Sequence, residues 1–255
     1  MVVARGEGAD PAVAGIRVIA STGGSGAYAE RVAVDASALI PVPRGLRTDQ
    51  AVALLADGRT AIALIRSAEL RHGQTVLVEA AAGGVGSLLV QLATSAGARV
   101  VAAAGGPDKV KLARGLGAAA GIDYTDPGWA ERARREVGEV DVVFDGVGGA
   151  IGRAAFELIH PGGRLISFGM AGGSFTAVAA GESERRRVTV VRGVPVSPDE
   201  SRALTADALD RAVRGELHAV IGQTWPLDEA AEAHAAIESR LTVGKTLLVV
   251  AGEVA

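Results

Sequence analysis

The most informative hydrophobic pattern lies in residues 75–97. Thr75–Val78 is a short apolar run bounded by polar residues, which predicts a buried strand. Residues 81–86 form a glycine-rich segment, called the glycine turn below. After it, apolar residues recur at helical spacing, and Gly97 can end that helix in a left-handed conformation. These residues are Val85, Leu88, Leu89, Leu92, Ala93 and Ala96. The pattern therefore predicts a strand, a tight turn and a helix.

The glycine turn fits the spacing of a dinucleotide-binding fingerprint, with Ala81 in place of the first glycine and with Gly83 and Gly86 in the other positions. Gly83 would let the backbone approach a pyrophosphate, and Gly86 would let the helix pack on the strand. The helix N-terminus would then face the phosphates. A turn that binds nothing is the alternative. A membrane span is disfavoured, because Glu79 and the glycines interrupt the apolar run.

Strand and helix patterns alternate further along the chain, which is typical of a doubly wound parallel sheet in an α/β protein. Pro161, Gly162 and Gly163 are expected to break the chain. The predicted strands are residues 99–104, 122–124, 140–144, 164–168 and 188–191, and the predicted helices are residues 108–116, 129–137 and 151–159.

The two ends of the chain have a different pattern. Residues 16–20, 28–34 and 39–42 predict short antiparallel strands, without helices between them. Asp228 is expected to cap a helix over residues 228–239 whose apolar face includes Ala231, Ala235 and Ile237, before a last strand at 246–250. We therefore expect a Rossmann domain inserted in a smaller β-rich domain. The expected bounds are 56–194 for the Rossmann domain, and 1–55 with 195–255 for the other.

Composition narrows the possible functions of this chain of 255 residues. Aromatic residues make up only 3%, so Ala, Val and Leu must fill the core. A net charge of −3 gives no attraction to nucleic acid or anionic membranes. The absence of cysteine excludes disulfides and cysteine-ligated zinc, and the four histidines have no metal-ligand spacing, so no metal site is expected. No signal peptide is visible, which predicts a cytoplasmic protein.

The end of the second predicted strand indicates the type of nicotinamide cofactor. An NAD site has a carboxylate there for the ribose hydroxyls, but residues 102–106 contain only alanine and glycine. Asp108 suits a helix cap, and Lys109 can reach an additional phosphate. The sequence thus favours NADP(H). The charged run at residues 184–187 is interpreted as a solvated loop, with a site for a phosphate or a coenzyme A tail as the alternative.

Several motifs together resemble one family. They are AAAGGVGSLLVQLA in the glycine turn and its helix, VVFDGVGG at 142–149, PGGRLISFG at 161–169, and the flanking GAYAERVAV, GRTA and AHAAIESRLTVGKTLLVV. Over nearly the whole chain they resemble the zinc-independent quinone oxidoreductase branch of the medium-chain dehydrogenase/reductases. The resemblance implies an NADPH-dependent reductase, usually a homodimer, in which a Rossmann domain interrupts a GroES-like catalytic domain.

The resemblance also implies which residues contact the cofactor. For three of these residues there is a purely structural alternative. Lys109 could cap a helix, Tyr124 could be a packing residue, and Arg240 could be a surface residue. The implied contacts are Gly83, Gly84, Val85 and Gly86 for the pyrophosphate; Gly105, Lys109, Tyr124 and Arg240 for the 2′-phosphate; Gly146, Val147, Phe168, Gly169 and Met170 for the ribose and nicotinamide; and Thr60 for the nicotinamide end. No residue is assigned as a catalytic acid.

The chain departs from the family pattern at its start and at two positions. The resemblance begins in mid-domain, so the GroES-like domain is expected to be truncated and to lack its usual N-terminal strands, unless the protein begins upstream. Ile16 replaces a usual Asp, and Arg59 replaces an apolar residue before Thr60. Arg59 would either favour an anionic substrate or point to solvent.

The implied reaction transfers a hydride from NADPH to a quinone or another conjugated carbonyl acceptor. A quinone anion can take its proton from water, so this chemistry needs no dedicated acid. Reduction of an enone or enoyl thioester is a second hypothesis. A truncated nucleotide-binding or scaffolding protein without turnover is a third. The only partners expected are a small-molecule substrate and a second copy of the chain, with neither nucleic acid nor membrane.

Overall fold

The structure is a computed structural model that describes residues 1–250. In this range the helices are α1 (Thr48–Ala68), α2 (Gly84–Ser95), α3 (Pro107–Gly115), α4 (Trp129–Val137), α5 (Gly149–Phe156), α6 (Glu182–Arg186), α7 (Pro198–Val213) and α8 (Ala230–Glu238). The strands are β1 (Val18–Ile19), β2 (Ile40–Pro41), β3 (Thr75–Val78), β4 (Arg99–Ala104), β5 (Ala120–Asp123), β6 (Val140–Asp145), β7 (Ile159–Ser167), β8 (Thr189–Arg192), β9 (Ile221–Pro226) and β10 (Lys245–Val249).

The chain divides into two compact units. Thr60–Ser197 form one, called the sheet unit, and Met1–Arg59 with Pro198–Ala255 form the other, called the flanking unit. The boundary therefore falls inside α1. Within residues 1–250, no helix is long and apolar enough to cross a membrane.

The sheet unit contains a six-stranded parallel sheet with the order β5-β4-β3-β6-β7-β8. The chain runs outward from β3 to β5 and then returns to β6 on the other side of β3. Val78 at the end of β3 pairs with Ala102 of β4 and with Phe144 of β6. The carboxyl ends of β3 and β6 thus meet at a topological switch point, where sheets of this kind bind ligands. This confirms the predicted doubly wound α/β fold.

The core of the sheet unit is formed by strands that are apolar on both faces. This is expected where helices cover a parallel sheet on both sides. Leu77, Val101 and Val143 are fully buried at neighbouring positions. The cluster around them is completed by residues of α4, α5 and β7, among them Trp129, Ala155, Phe156, Ile159 and Leu165.

Several predicted elements are confirmed at their predicted bounds, namely β3, β4 and α4. The prediction that the helix after β6 reaches residue 159 is wrong, because α5 ends at Phe156 and Ile159 already begins β7. The predicted break at Pro161 is also wrong, since β7 continues through it. Val140 pairs with Ile159 whereas Val142 pairs with Arg164, so the residues between them bulge without ending the strand.

The charged run at residues 184–187 is largely exposed, as predicted for a solvated segment, but it is not a loop. Three of its residues belong to the short helix α6 (Glu182–Arg186). The Arg186 guanidinium donates to the backbone carbonyls of Glu157 at 3.1 Å and Ile159 at 3.3 Å. It also lies over the Phe156 ring, 5.1 Å from its centroid. Arg186 therefore anchors α6 to the core beside it.

The flanking unit has two separate pairs of strands among its described residues. β1 and β2 are antiparallel, as predicted, whereas β9 and β10 are parallel. The strand predicted at residues 28–34 is wrong, and this segment is irregular. Tyr28 and Val32, two of its largest apolar side chains, are 61% and 47% exposed, so pairing there would bury little apolar surface.

The last helix also begins differently from its prediction. Leu227–Glu229 forms a 3₁₀ turn, and Glu229 rather than Asp228 is the N-cap of α8, without a side-chain capping bond. The predicted apolar face is wrong as well. Ala233 is the buried residue of α8, while the exposed ones include Ala231, Ala235 and Ile237.

Candidate functional site

The glycine turn joins β3 to α2 at the switch point. Ala80, just before it, has a left-handed φ of 47°, which is strained for a residue with a side chain. Its carbonyl oxygen accepts the Gly83 N–H at 2.8 Å, and the Ala81 N–H donates to the Ala103 carbonyl of β4 at 3.1 Å. Gly83 is the N-cap of α2. The turn is thus tied to β4 as well as to β3.

Close backbone contact explains the glycine at position 86. A Cβ atom there would collide with the carbonyl oxygen of Ala80 and would lie 2.8 Å from its carbonyl carbon. A Cβ atom on Gly83 would lie 3.2 Å from the same oxygen. Glycine therefore lets α2 start directly against the end of β3. The first N–H groups of a helix have no partner within the helix, so this start can bind an anion.

A second turn follows β4, and Asp123 at the end of β5 fixes it. Asp123 Oδ1 accepts the Gly106 N–H at 2.9 Å, and the Thr125 N–H and hydroxyl at 2.9 and 2.7 Å. Burial raises the pKa of Asp123, but the hydrogen bonds from Thr125 and Gly106 outweigh it, and the net pKa is lowered. The carboxylate therefore stays ionised. The sequence pattern predicts no role for Asp123, although an acid follows the apolar residues of this strand.

Two of the residues expected at the 2′-phosphate lie together at this second turn. A Cβ atom on Gly105 would be 3.1 Å from Cε2 of Tyr124, so the tyrosine ring packs over the glycine backbone. Lys109 lies in the first turn of α3, four residues after Gly105, and is half-buried. The structure thus places Gly105, Tyr124 and Lys109 at the carboxyl ends of β4 and β5.

A third part of this edge consists of two segments that run side by side. Residues 146–149 follow β6, and residues 168–174 follow β7. The Phe168 N–H donates to the Asp145 carbonyl at 2.9 Å, and the Gly172 N–H donates to the Val147 carbonyl at 2.6 Å. Because these bonds cross between the segments, each segment holds the other in place.

This third part brings together the residues expected at the ribose and nicotinamide. A Cβ atom on Gly146 would lie 2.8 Å from Cζ of Phe168, and one on Gly169 would lie 2.5 Å from the Gly146 carbonyl oxygen. Val147 is buried, and Met170 is 55% exposed. The contacts of Gly146 and Gly169 require residues without side chains.

Two buried carboxyl groups lie behind these segments, and neither is predicted from the sequence pattern. Glu79 and Asp145 each have no exposed surface. Asp145 Oδ1 accepts the Gly148 N–H at 2.7 Å, and its Oδ2 accepts the Ser167 hydroxyl at 2.9 Å. Glu79 Oε2 accepts the Val147 N–H at 3.1 Å. Burial raises the pKa of Glu79 well above its usual range, and the charge of Asp145 raises this pKa further. An acid ending an apolar run was the available signal in both strands.

The remaining expected site residues lie elsewhere in the chain. Thr60 is half-buried within α1, as the first residue of the sheet unit. Arg240 belongs to the flanking unit, where it is exposed, follows α8 and has a left-handed φ of 60°. Arg59, also in the flanking unit, donates from Nη1 to Ser201 Oγ at 2.9 Å. Among residues 1–250, no group of three or more His, Cys, Asp or Glu side chains could hold a metal ion.

Residues 116–248 match the family model described as zinc-binding dehydrogenase. A quinone oxidoreductase from Pseudomonas aeruginosa is 35% identical over 242 residues, which cover 92% of this chain and 74% of that protein. A 2-haloacrylate reductase from a Burkholderia species is 30% identical, over 95% of this chain and 76% of that protein. The chain thus spans about three-quarters of the length of these curated relatives.

Solved structures share this fold. The Escherichia coli quinone oxidoreductase, crystallised with NADPH, superposes with a TM-score of 0.88 at 28% identity, over 97% of this chain and 79% of that one. An NAD-dependent alcohol dehydrogenase gives a TM-score of 0.79 at 32% identity, over 88% of this chain but only 65% of that one. The chain belongs to the medium-chain dehydrogenase/reductase superfamily, in its quinone oxidoreductase branch, which confirms the resemblance in the motifs.

Proposed function

We propose that this protein binds NADPH and transfers its hydride to a quinone or another conjugated carbonyl compound. The observation that carries this proposal is the position of the glycine turn. It starts α2 at the switch point, where Gly86 packs against the Ala80 carbonyl. The E. coli quinone oxidoreductase crystallised with NADPH supports the choice of cofactor. NADPH, when bound, would supply the hydride, while the protein supplies binding and orientation.

The pyrophosphate is proposed to lie at the start of α2, against Gly83, Gly84, Val85 and Gly86. Backbone N–H groups at this helix end can donate to phosphate oxygens, and the helix dipole favours their negative charge. Gly83, Gly84 and Val85 are only half-buried, so this part of the turn is accessible. A side chain on Gly83 would crowd the turn itself, at 3.2 Å from the Ala80 oxygen.

The 2′-phosphate is proposed to lie at the second turn, near Gly105, Lys109 and Tyr124. Asp123 lies at the end of β5 rather than of β4, and its Oδ1 already accepts three donors from Gly106 and Thr125. β4 itself ends in alanine and glycine. A positive charge in the first turn of α3 and no acid on β4 favour NADPH over NADH.

The nicotinamide end is proposed to lie beside residues 146–149 and 168–170, with Thr60 also contacting it. Val147 and Phe168 would exclude water from one side of the ring, and Gly146 and Gly169 keep the two segments close. We assign no side chain as a proton donor. A reduced quinone can take its proton from water, so orientation and exclusion of water are the functions left to these residues.

Cofactor binding is tested by titrating the protein with NADPH and with NADH, followed by protein or nicotinamide fluorescence. We expect tighter binding of NADPH. Lys109→Ala should weaken NADPH binding by about tenfold or more, because it removes a charged contact, and should leave NADH binding unchanged. Lys111→Ala, at an exposed position of the same helix, is the matched control. Equal affinities for both cofactors, or an unaffected Lys109→Ala variant, would contradict the assignment.

The acceptor is tested separately, by following NADPH oxidation with a simple quinone. Reduction of an activated alkene is the second candidate, and the similarity to a 2-haloacrylate reductase favours it. Parallel assays with a quinone, an enone and 2-chloroacrylate, with identification of the products, distinguish the two. NADPH binding without oxidation by any acceptor would instead support the third hypothesis, a nucleotide-binding protein without turnover.

Three further properties belong to the same proposal. The reaction is proposed to need no zinc, because the sequence contains no cysteine and hydride transfer to a quinone needs no Lewis acid. Metal analysis and activity after chelation test this. A homodimer is proposed from the family resemblance and is tested by analytical ultracentrifugation. A cytoplasmic location is proposed and is tested by cell fractionation.

A further inference from the structure

Three buried polar side chains lie next to one another across the carboxyl end of the sheet. Asp145 of β6 pairs with Ser167 of β7, and Val78 of β3 pairs with Phe144 of β6. One residue beyond that pair, Glu79 donates its N–H to the Phe144 carbonyl at 3.0 Å, so its side chain neighbours Asp145. The three side chains are 0 to 1% exposed. Water therefore does not reach these carboxyl groups.

The hydrogen bonds differ between the two acids. Both oxygens of Asp145 accept donors, one from the Gly148 N–H at 2.7 Å and one from the Ser167 hydroxyl at 2.9 Å. Glu79 accepts the Val147 N–H with Oε2, but Oε1 is buried with no hydrogen-bond partner. Two ionised carboxylates in contact inside a protein repel each other, and an unpaired buried acceptor costs further free energy. A single proton on Glu79 removes both penalties.

We propose that Glu79 is a positioning residue of the dinucleotide site, whose protonated carboxyl donates from Oε1 to the Asp145 carboxylate and accepts the Val147 N–H at Oε2. Asp145 is the charged member, because it receives two donors of its own. The pair connects the end of β3, next to the glycine turn, to residues 146–149. This inference rests on the proposed function, since both segments are assigned there to NADPH.

The charges around Glu79 agree with this assignment. Burial raises the pKa of its carboxyl, and the charge of Asp145 raises the pKa further, against the smaller effects of the Val147 and Gly148 N–H groups. β6 therefore presents the titratable neighbour, Asp145. β7 presents the Ser167 hydroxyl, β4 ends in alanines, and the hydroxyl of Thr176 lies near Asp145.

The first test compares three proteins by NADPH titration at pH 7. Glu79→Gln reproduces the protonated acid, because its amide donates to Asp145 and its oxygen accepts from Val147. We expect its dissociation constant to stay within about twofold of the wild type, whereas Glu79→Leu should weaken binding by about tenfold or more. Glu131→Gln, at an exposed position of α4, is the control for charge removal. Equal weakening by Gln and Leu, in variants that fold, would overturn the proposal.

The second test detects the proton without relying on NADPH. The infrared spectrum of the wild type should contain the C=O stretch of a buried protonated carboxyl, and Glu79→Gln should lack it. A raised pKa in the folded state means that wild-type stability falls as the pH rises above about 4.3, where a free Glu ionises. Relative to Glu79→Gln, the wild-type unfolding equilibrium constant should increase by about tenfold per pH unit until the folded group ionises.

The two tests separate this inference from the proposed function. A wild type that binds NADPH but has neither the infrared band nor the pH difference overturns the shared proton and leaves the function standing. A wild type that does not bind NADPH overturns the function, and the infrared and unfolding measurements still decide whether Glu79 and Asp145 share a proton.

Discussion

The carbonyl group of Ala80 occupies the space that a side chain at position 86 would need, since a Cβ atom there would be 2.8 Å from the carbonyl carbon. This contact sets the distance between the end of β3 and the start of α2. Ala80 itself has a left-handed φ of 47°, and its carbonyl oxygen accepts the Gly83 N–H. The fingerprint glycine is therefore required by packing in addition to any bound cofactor.

Gly86→Ala should consequently destabilise the protein even without NADPH. Forcing a methyl group into this contact must displace α2 or the turn, at a cost of about 2 to 3 kcal/mol. Urea unfolding without cofactor measures the loss, and NADPH titration should show weaker binding in addition. Gly115→Ala is the control, because a Cβ at that helical glycine would have no atom within 4 Å. It should be neutral or slightly stabilising. Equal stability of the two variants would contradict the packing role of Gly86.

Gly152 makes a comparable contact behind residues 146–149 and 168–174. A Cβ atom there would collide with Thr176 Oγ1 and would lie 2.8 Å from Asp145 Oδ1. Gly152→Ala should displace Asp145 and weaken its bonds from Gly148 and Ser167, at a cost of about 2 kcal/mol or more. Ala150→Ser, at an exposed site of the same helix, should cost about 0.5 kcal/mol. Chemical denaturation measures both. A Gly152→Ala protein as stable as the control would show that this contact relaxes easily.

Stability should also depend on pH through His160 and Asp141. His160 Nε2 lies 3.0 Å from Asp141 Oδ1, and Asp141 Oδ2 accepts the Thr75 N–H at 2.7 Å. The hydrogen bond that His160 donates to the Asp141 carboxylate raises the pKa of His160. For a raised pKa, the stabilising contribution is complete below the unfolded-state pKa of about 6.5 and is lost as the pH rises through the folded-state pKa.

The test compares the wild type with His160→Gln by urea unfolding between pH 5 and 9. We expect the stability advantage of the wild type to be largest near pH 5 to 6 and to shrink as the pH increases. Asp141→Asn retains His160 but removes the negative charge, and it should abolish most of this pH dependence. Parallel stability profiles of the wild type and His160→Gln would contradict the prediction, whatever the absolute stabilities.

The sequence predicted those parts of the sheet unit in which local pattern determines structure. β3 and β4 are apolar at successive positions because both of their faces are buried, so they are recognisable without knowing their partners. β7 is different. Its course through Pro161 depends on the shifted pairing with β6, in which Val140 pairs with Ile159 and Val142 with Arg164. That pairing depends on the tertiary structure and cannot be recognised from the local sequence. The segment at 28–34 likewise could form a strand only beside a neighbouring strand.

The same distinction applies to the site. The glycine turn could be predicted because its residues are adjacent in sequence and each glycine is required by contacts within the turn itself. The relationship of Glu79 to Val147 was not visible, since 68 residues separate them and only the strand order places β6 beside β3. Asp123 was missed for a related reason. Its carboxylate accepts the N–H of Gly106, and Gly106 lies in the turn after β4.

Arg153 of α5 binds two glutamates, Glu157 and Glu182. Its guanidinium donates to Glu182 at 2.6 Å and to Glu157 at 2.9 Å, and lies 5.2 Å from the centroid of the Phe156 ring. The hydrogen bond from Arg153 lowers the pKa of Glu182 to about 2. A lowered pKa contributes stability that is present above the usual pKa of Glu, about 4.3, and is lost as the pH falls towards 2. Arg153→Lys keeps the charge but loses the paired N–H donors.

We therefore expect Arg153→Lys to raise the pKa of Glu182 towards its usual value, measured by NMR titration of the side-chain carboxyl carbons. Acid unfolding should begin at a higher pH in the variant than in the wild type, because less of the ionised form is stabilised. Arg135→Lys, at an exposed position of α4, is the control and should not move either titration. An unchanged Glu182 titration in Arg153→Lys would mean that the positive charge alone, rather than the paired guanidinium donors, keeps this carboxylate ionised.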